Sequence, residues 1–466
     1  MKKNNVESSF QEEFKDKSSR KPLKTQILEQ KWKFLIFIIL SQFGQQFNLQ
    51  AIDTVQVPLQ KSLSIDEKHY GYLIMAQSLP NIFLPVLNGY IVDYLGGLPG
   101  FTAAILLTLL GQGIITLGAY NKSFTAFLIG KVISITALEA TTLGRIKLFR
   151  LWFDNTELNR ADSAVVLTQT ISVILCDLLY PNLFEATGIF GFPFLVGFFI
   201  CVFSAGMLLV VNGMHTLLLK QIEADKLTKY KEQISFSTIK RFPPLLWPVV
   251  LTVSSGLTAF IMTKIDLSKF LQVNFGYSIG EAGLFLAVSQ LLSAVAAVAA
   301  GYIADKHGKL PYILIASSTS LIMGIGLIII IPQCQKCFLP ALPIILLSVV
   351  TSPLFIASYG SIARLVPQQN LGMATSGIPV LISIQMTVFP ALGGTIAAKT
   401  YDTSGYTWVF ALNLCVAAVS LISAISVQIA DVSKGSILQH TGKSSPREAE
   451  LEELPMINRT EENFPF

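Results

Sequence analysis

Twelve long apolar runs dominate this sequence and restrict its fold more than any other feature. Each holds about 20 residues, the length that an α-helix needs to cross the hydrocarbon core of a bilayer. The runs lie near residues 34–53, 70–92, 99–119, 124–146, 162–185, 190–212, 246–271, 279–304, 311–331, 339–363, 371–397 and 407–428. Because backbone groups in lipid must be hydrogen-bonded within the protein, runs of this length predict helices. The sequence therefore predicts an all-α polytopic membrane protein with twelve transmembrane helices.

The composition agrees with a membrane protein rather than a soluble one. Hydrophobic residues make up 52% of the 466 residues, and charged residues make up only 14%. A soluble domain carries about 25% charged residues. A chain with so little charge is expected to place most of its surface against lipid.

A short motif occurs twice, after the second and the eighth apolar run. It reads Gly-Tyr-Ile-Val-Asp-Tyr-Leu-Gly at residues 89–96 and Gly-Tyr-Ile-Ala-Asp-Lys-His-Gly at residues 301–308. An internal repeat of this kind indicates a duplicated architecture. We therefore expect two pseudo-symmetric bundles of six helices each.

The charged segments divide the chain and orient it in the membrane. The predicted segments are a cytosolic tail (1–33), an N-terminal bundle (34–212), a basic cytosolic linker (213–245), a C-terminal bundle (246–428) and a cytosolic tail (429–466). Lys and Arg are concentrated in the first tail, in the linker and in the connection between the fourth and fifth runs. Since cytosolic loops of membrane proteins carry an excess of Lys and Arg, both termini are expected in the cytosol.

The sequence contains no signature of an enzyme. The four His residues fall in loops or tails, and no Walker loop, Gly-x-Ser-x-Gly or His-Glu-x-x-His motif is present. Cys334 and Cys337 form a Cys-x-x-Cys, which supplies only two of the four ligands of a structural zinc site. Loop thiols or a local disulfide explain this pair better than a metal or redox site does. We expect no catalysis, no cofactor, no metal and no nucleic-acid partner.

Charged residues inside the apolar runs are costly in hydrocarbon and normally face a cavity or a partner. Glu139 lies in the middle of the fourth run, eight residues after Lys131. A carboxylate at this depth binds a cation or an amine, carries a proton, or neutralises a buried cation. The structural alternative is a salt bridge with Lys131 or Arg145.

Polar and aromatic side chains in other runs are further candidates for substrate binding. Gln42 and Gln46 share one face of the first run, where they either line a water-filled cleft or join helices by hydrogen bonds. Lys264 lies close to Asp266 in the seventh run, as a substrate contact or as an ion pair near the outer rim. Tyr359 in the tenth run stacks on a ligand or packs among helices.

Twelve spans in two halves, with Gly-Tyr-x-x-Asp-x-x-Gly after spans two and eight, resemble the major facilitator superfamily over residues 34–428. The resemblance implies secondary transport by alternating access, with one central site between the halves and the two repeated loops as cytosolic gates. The gating residues it implies are Gly89, Asp93, Gly301, Asp305 and Lys309. Because only the second copy carries the basic residues Lys306 and Lys309, we expect Asp305 to form the stronger latch.

Within this superfamily the chain is most similar to the lysosomal dipeptide transporter group. The stretches that carry the similarity are Ser-Leu-Pro-Asn at 78–81, Trp-Phe at 152–153, Glu-Leu-Asn at 157–159, Asp-Lys-His-Gly-Lys at 305–309 and Leu-Val-Pro-Gln-Gln-Asn-Leu-Gly at 365–372. The resemblance implies that Glu139 holds the amino group of a dipeptide and that Tyr359 is the aromatic residue of the tenth helix. An Arg that the group carries on the fifth helix is Thr170 here. Either Lys131, Lys264 or another cation replaces it, or the substrate is not a dipeptide.

The sequence therefore predicts a secondary transporter of a small polar solute, a dipeptide or an amino-acid-like compound. A sugar or organic-anion carrier of the same fold is one alternative, and a non-transporting membrane receptor or scaffold is another. The resemblance further implies a lysosomal or vacuolar membrane, with the plasma membrane as the alternative. It also implies a single-span glycosylated accessory subunit.

Overall fold

The fold was analysed in a computed structural model. It describes residues 30–84, 96–153, 155–222, 242–366, 371–404, 406–433, 435–436 and 438–439. Within these ranges the chain forms helices joined by short turns, and it contains no strand.

The helices before residue 223 are α1 (Lys31–Asn48), α2 (Ala51–Thr54), α3 (Gln56–Leu63), α4 (Glu67–Ser78), α5 (Gly97–Tyr120), α6 (Phe124–Trp152), α7 (Asn155–Thr187) and α8 (Gly191–Ile222). A 3-10 turn at Leu79–Ile82 follows α4. The helices after residue 241 are α9 (Leu246–Phe275), α10 (Ile279–His307), α11 (Leu310–Ile330), α12 (Ala341–Leu365), α13 (Leu371–Ser404) and α14 (Thr407–Ser433).

Ten of the described helices, α5 to α14, are long and apolar enough to cross a membrane, which confirms the all-α polytopic fold. They overlap the third to twelfth predicted runs, and several extend beyond them, such as α8, which continues to Ile222. The first run instead covers α1 and most of α2, which are separated by a break at Leu49 and Gln50. A second break at Val55 and the helix α3 follow beyond the run. The second run begins in α4 and continues into residues 85–95, so that Gly89 and Asp93 lie outside the described residues. The number of twelve spans stays a prediction.

The chain divides into two compact units. Unit 1 comprises Met1–Ser235 and Tyr277–Ala287, and unit 2 comprises Phe236–Gly276 and Val288–Phe466. The first residues of α10 therefore belong to unit 1, where the Gly280 backbone N–H donates to Glu185 Oε1 at 2.8 Å. The bundle boundaries predicted from the sequence, 34–212 and 246–428, stay predictions because much of the linker lies outside the described residues.

In unit 1, α5 and α6 approach each other closely along small residues. A Cβ atom at Gly111 of α5 would lie 2.7 Å from the Ser134 backbone nitrogen, and one at Gly130 of α6 would lie 2.6 Å from the Ile115 backbone nitrogen. Small residues allow such contact between membrane helices, where van der Waals packing replaces the hydrophobic effect as the main attraction. This contact fixes the position of α6, the helix that carries Lys131 and Glu139.

In unit 2, the segment after α14 folds back onto the apolar core. Leu438 is fully buried in a cluster built by residues of the helices from α9 to α14. Its backbone N–H donates to Asp431 Oδ1 at 2.9 Å, and its carbonyl accepts from Arg364 Nη1 at 3.1 Å. The Lys309 backbone N–H donates to the Gln439 carbonyl at 3.1 Å. The segment at residues 438–439 is thereby attached to the turn that follows the second copy of the repeated motif.

The connection between the first and second predicted spans has a helix cap. The Asp66 carboxylate accepts a hydrogen bond from the His69 backbone N–H at 2.8 Å, at the start of α4. This hydrogen bond lowers the pKa of the Asp66 carboxyl. The cap satisfies one of the N–H groups that have no partner within the first turn of a helix.

We expect Gly130→Ala to lower the melting temperature of the purified protein. The added methyl group overlaps the backbone of α5, and overpacking of this kind costs about 1–3 kcal/mol. Gly206→Ala in α8 is the matched control, because a Cβ atom there meets no neighbouring atom within 4 Å. Melting followed by tryptophan fluorescence checks this expectation. Equal melting temperatures for the two variants would contradict the close contact between α5 and α6.

We also expect Leu438→Ala to lower the melting temperature, because truncating a buried Leu costs about 2–5 kcal/mol. Val432→Ala removes an apolar side chain that is 56% exposed on α14 and serves as the control. The same melting assay compares both variants with the wild type. No difference between Leu438→Ala and its control would show that the segment after α14 is not anchored in unit 2.

Candidate functional site

The break after α1 is the centre of a buried polar cluster in unit 1. The Asn48 side chain donates from Nδ2 to the carbonyls of Gly44 at 2.7 Å and Gly197 at 3.2 Å, and to Cys201 Sγ at 3.3 Å. Asn48 Oδ1 accepts a hydrogen bond from the Tyr180 hydroxyl. These bonds join the end of α1 to α7 and α8. They hold the last residue of α1 in one position.

Lys131 of α6 reaches this break from another side. Its side chain is buried, and Nζ donates to the Leu49 carbonyl at 3.0 Å and to the Asn48 carbonyl at 3.4 Å. The last carbonyls of a helix have no partner within the helix, and the helix dipole favours a cation at that end. Lys131 therefore acts as a side-chain cap for α1.

Two carboxylates lie near the same break. Asp53 of α2 interacts electrostatically with Lys131. Asp177 of α7 is buried, and its Oδ1 accepts a hydrogen bond from Thr54 Oγ1 at 2.9 Å. A buried charge in a membrane requires a partner. In this cluster Asp53 provides a charge opposite to that of Lys131, and the neutral hydroxyl of Thr54 donates to Asp177.

The glutamines of α1 differ in what they contact. Gln45 Nε2 donates to Thr108 Oγ1 of α5 at 2.9 Å, which joins two helices. Gln42 Nε2 donates to the Ile38 carbonyl of its own helix at 3.3 Å. Among the described residues, the side chains of Gln42 and Gln46 form no hydrogen bond to another helix. Both are buried. Their amide groups thus keep hydrogen-bonding capacity that a polar solute can use.

Glu139 lies on α6, about 12 Å along the helix from Lys131. Its side chain lies outside the described part of the structure. Thr170, the position at which the resemblance implies an Arg, lies on α7, and its Oγ1 donates to the Val166 carbonyl of the same helix at 3.1 Å. This hydroxyl is neutral and cannot pair with a carboxylate as an Arg does.

In unit 2 a buried Lys lies among amide and hydroxyl groups. Lys264 of α9 is buried, and Nζ donates to Gln290 Oε1 of α10 at 3.2 Å. Two other polar residues of α9, Thr258 and Ser255, precede Lys264 and contact α13. Thr258 Oγ1 donates to Gln385 Oε1 at 2.7 Å, and Gln385 Nε2 donates to Ser255 Oγ at 3.1 Å. α9 therefore presents a polar face to both α10 and α13.

Tyr359 of α12 forms an aromatic pair with Phe355. The ring centroids lie 4.3 Å apart and the ring planes are tilted by 32°. Tyr359 is half-buried and packs against the apolar cluster that includes Leu438. The spacing of four residues places the two rings on the same face of the helix. Packing within unit 2 thus accounts for part of the Tyr359 surface.

The residues of the second repeated motif occupy the end of α10 and the turn after it. Gly301 lies in α10, and a Cβ atom there would meet no atom within 4 Å among the described residues. The Asp305 side chain lies outside the described part of the structure. Lys309 has a φ of 45° and directly precedes α11. Lys306 Nζ lies 5.6 Å from the centre of the Tyr302 ring.

The Cys-x-x-Cys motif forms a local disulfide, between Cys334 and Cys337 in the connection from α11 to α12. Lys336 within this turn donates its backbone N–H to the Phe275 carbonyl at the end of α9, at 2.8 Å. Among the described residues, no group of three or more His, Cys, Asp or Glu side chains is arranged to hold a metal ion.

The amino-acid sequence is similar to those of known transporters. The lysosomal dipeptide transporter MFSD1 of Bos taurus is 22% identical over 421 residues, which cover 88% of this chain and 87% of the relative. The human protein of the same name is 21% identical over 421 residues, which cover 88% of each chain.

Solved transporter structures share the fold. The nucleoside transporter NupG superposes with a TM-score of 0.63 at 14% identity, covering 86% of this chain and 98% of the other. The POT family transporter PepTSo superposes with a TM-score of 0.65 at 13% identity, covering 86% and 98%. At this identity the likeness concerns the fold alone.

Residues 38–347 match the profile of the Major Facilitator Superfamily, which is more than half of the chain. The chain belongs to the Major Facilitator Superfamily.

Proposed function

We propose that this chain is a secondary transporter that moves dipeptides or amino-acid-like solutes by alternating access. The observation that carries the proposal concerns α6, which carries both Glu139 and Lys131. The Lys131 ammonium group already has hydrogen-bond partners elsewhere in unit 1. Lys131 donates to the carbonyls of Asn48 and Leu49. Asp53 also interacts electrostatically with Lys131 and supplies a negative charge near it. We therefore infer that Glu139 is not required to neutralise Lys131 and can bind the amino group of a solute.

The relatives support a peptide as the substrate class. Over 88% of its length the chain is similar to proteins named lysosomal dipeptide transporters. A dipeptide carries one amine and one carboxylate, so its site needs one anion and one cation. We assign the amine to Glu139 and polar contacts to the amides of Gln42 and Gln46. Tyr359 is assigned to the body of the solute.

We propose Lys264 rather than Lys131 as the cation for the solute carboxylate. The two ammonium groups are both buried, but they differ in their surroundings. Lys131 caps a helix end, and its removal would leave carbonyl groups in the membrane without a partner. Lys264 lies on a polar face of α9 beside Gln290, where an incoming carboxylate finds further hydrogen-bond donors. Lys264 thus takes the role of the Arg that Thr170 replaces.

The proposal includes a lysosomal or vacuolar membrane, since the relatives carry that location in their names. It also includes a single-span glycosylated accessory subunit on the outer side. The short connection at residues 121–123 between α5 and α6 suits such a partner.

A sugar carrier is the second candidate, and Thr170 is the observation that favours it. Without an Arg at this position, and with amide-rich α1, the site offers neutral donors and acceptors that suit hydroxyl groups. A sugar has no amine, so Glu139 would then have to serve as an acceptor for hydroxyl groups. Uptake of labelled sugars alongside dipeptides separates the two candidates.

We expect Glu139→Gln to reduce dipeptide uptake into proteoliposomes by about 10- to 100-fold, because a charged hydrogen bond contributes about 1.5–3 kcal/mol. Glu67→Gln makes the same chemical change at the start of α4, outside the spans, and serves as the control. Both variants should elute as monodisperse protein. Undiminished uptake by a folded Glu139→Gln variant would give Glu139 a structural role only.

We expect Lys264→Met to remove the preference of the protein for a free peptide carboxylate. The measurement compares the thermal stabilisation by a dipeptide with that by the same dipeptide carrying a C-terminal amide. The wild type should respond more strongly to the free acid, and the variant should respond equally weakly to both. Lys269→Met, at another buried Lys of α9, is the matched control and should keep the preference. Retention of the preference in Lys264→Met would exclude Lys264 from the site.

A further inference from the structure

The break between α1 and α2, within the first predicted span, leaves backbone oxygen atoms without their usual helical hydrogen-bond partners. In a continuous helix the Leu49 carbonyl would accept a hydrogen bond from the backbone N–H of Asp53. That N–H instead donates to the Gln50 carbonyl at 3.1 Å. The Leu49 carbonyl accepts from Lys131 Nζ at 3.0 Å, and the Asn48 carbonyl accepts from it at 3.4 Å. Unbonded carbonyls cost several kcal/mol each in a bilayer, so these oxygens require a donor or a cation.

The oxygens around the Lys131 ammonium carry negative charge. The C-terminal end of α1 contributes the negative end of its dipole. Asp53, on the helix after the break, contributes a full charge that acts on Lys131. A charged group buried at 4% exposure thus lies among carbonyls and near a carboxylate.

The surrounding hydrogen bonds hold these oxygens in place. The Asn48 side chain is fixed by Gly44, Gly197, Cys201 and Tyr180. On the other side of the break, Thr54 Oγ1 donates to the Gln50 carbonyl at 3.2 Å and to Asp177 Oδ1 at 2.9 Å. The residues on both sides of the break are therefore held by contacts other than those of Lys131.

Carbonyl oxygens at the C-terminal end of a broken membrane helix are ligands that other transporters use for Na⁺. We propose that the break after α1 is a monovalent-cation site that is permanently occupied by the tethered ammonium group of Lys131. The positive charge that a dissolved ion would bring is supplied by α6. This inference does not depend on which solute is transported.

A vacant site should appear when the amine is removed. Lys131→Ala leaves the carbonyls of Asn48 and Leu49 without the ammonium group that donates to them, and it removes the positive charge that acts on Asp53. The variant should then bind a free ion of similar charge and size, such as Na⁺, K⁺ or ammonium. The wild type should gain nothing from these ions at this site, because its own ammonium occupies it.

The test measures melting temperatures of the purified full-length protein in chloride salts of equal ionic strength. We expect Lys131→Ala to melt at a lower temperature than the wild type in choline chloride. Addition of NaCl, KCl or ammonium chloride in place of choline should raise its melting temperature saturably, by about 3 °C or more at full occupancy. The wild type should show no difference between choline and these ions.

Three further variants make the result specific to the proposed site. Lys269→Ala removes another buried Lys and should not gain stability from the small cations. Lys131→Ala combined with Asp53→Asn should lose the gain. In choline chloride, Lys131→Arg should melt at the temperature of the wild type because it keeps the positive charge. Lys131→Gln supplies only a neutral donor and should melt at a lower temperature.

The outcomes decide the proposal without reference to transport. No ion-dependent gain in a folded Lys131→Ala variant would overturn it, and so would full stability of Lys131→Gln. If Lys131→Ala cannot be purified in choline chloride, the yield of monodisperse protein is compared after extraction in choline and in ammonium chloride. A higher yield in ammonium supports the cation site, and equal yields contradict it.

Discussion

The absence of water from the bilayer interior is the constraint on which the rest of this structure depends. Each buried carbonyl, ammonium and carboxylate must find its partner within the protein. The break after α1 shows how the chain meets this requirement. Lys131 binds the carbonyls that the break releases, and Asn48 joins the same end of α1 to α7 and α8. Four helices of unit 1 therefore meet at one polar cluster.

This arrangement assigns separate roles to charges that the sequence alone leaves equivalent. Lys131 stabilises the backbone of α1, while Glu139 on the same helix stays available for a solute under the proposed function. Lys264 in unit 2 lies on a polar face of α9 with Gln290. The Lys131 cap satisfies the carbonyl groups at the break in α1. The glutamine side chains of α1 are therefore not needed for this purpose and can form a polar surface. Such a surface is what transport of a zwitterionic solute requires.

The apolar runs could be predicted from the sequence because hydropathy is a local property, and ten of them are helices long enough to span a membrane. The break in the first run could not, because residues 48–51, Asn-Leu-Gln-Ala, contain neither Gly nor Pro. It is stabilised by Lys131, which lies about 80 residues further along the chain. The burial of Leu438 could not be predicted from the sequence either, because one Leu in a polar tail forms no periodic pattern. The roles of Glu139 in substrate binding and of Asp305 in gating remain predictions.

Solute counterflow in proteoliposomes tests the proposed transport most directly. Vesicles containing the purified protein are loaded with an unlabelled dipeptide, amino acid or sugar and are then exposed to a trace of the labelled dipeptide. A dipeptide transporter should accumulate the label transiently in vesicles loaded with dipeptide and not in vesicles loaded with sugar. Saturable dipeptide binding without any counterflow, or counterflow with sugars alone, would contradict the proposed function.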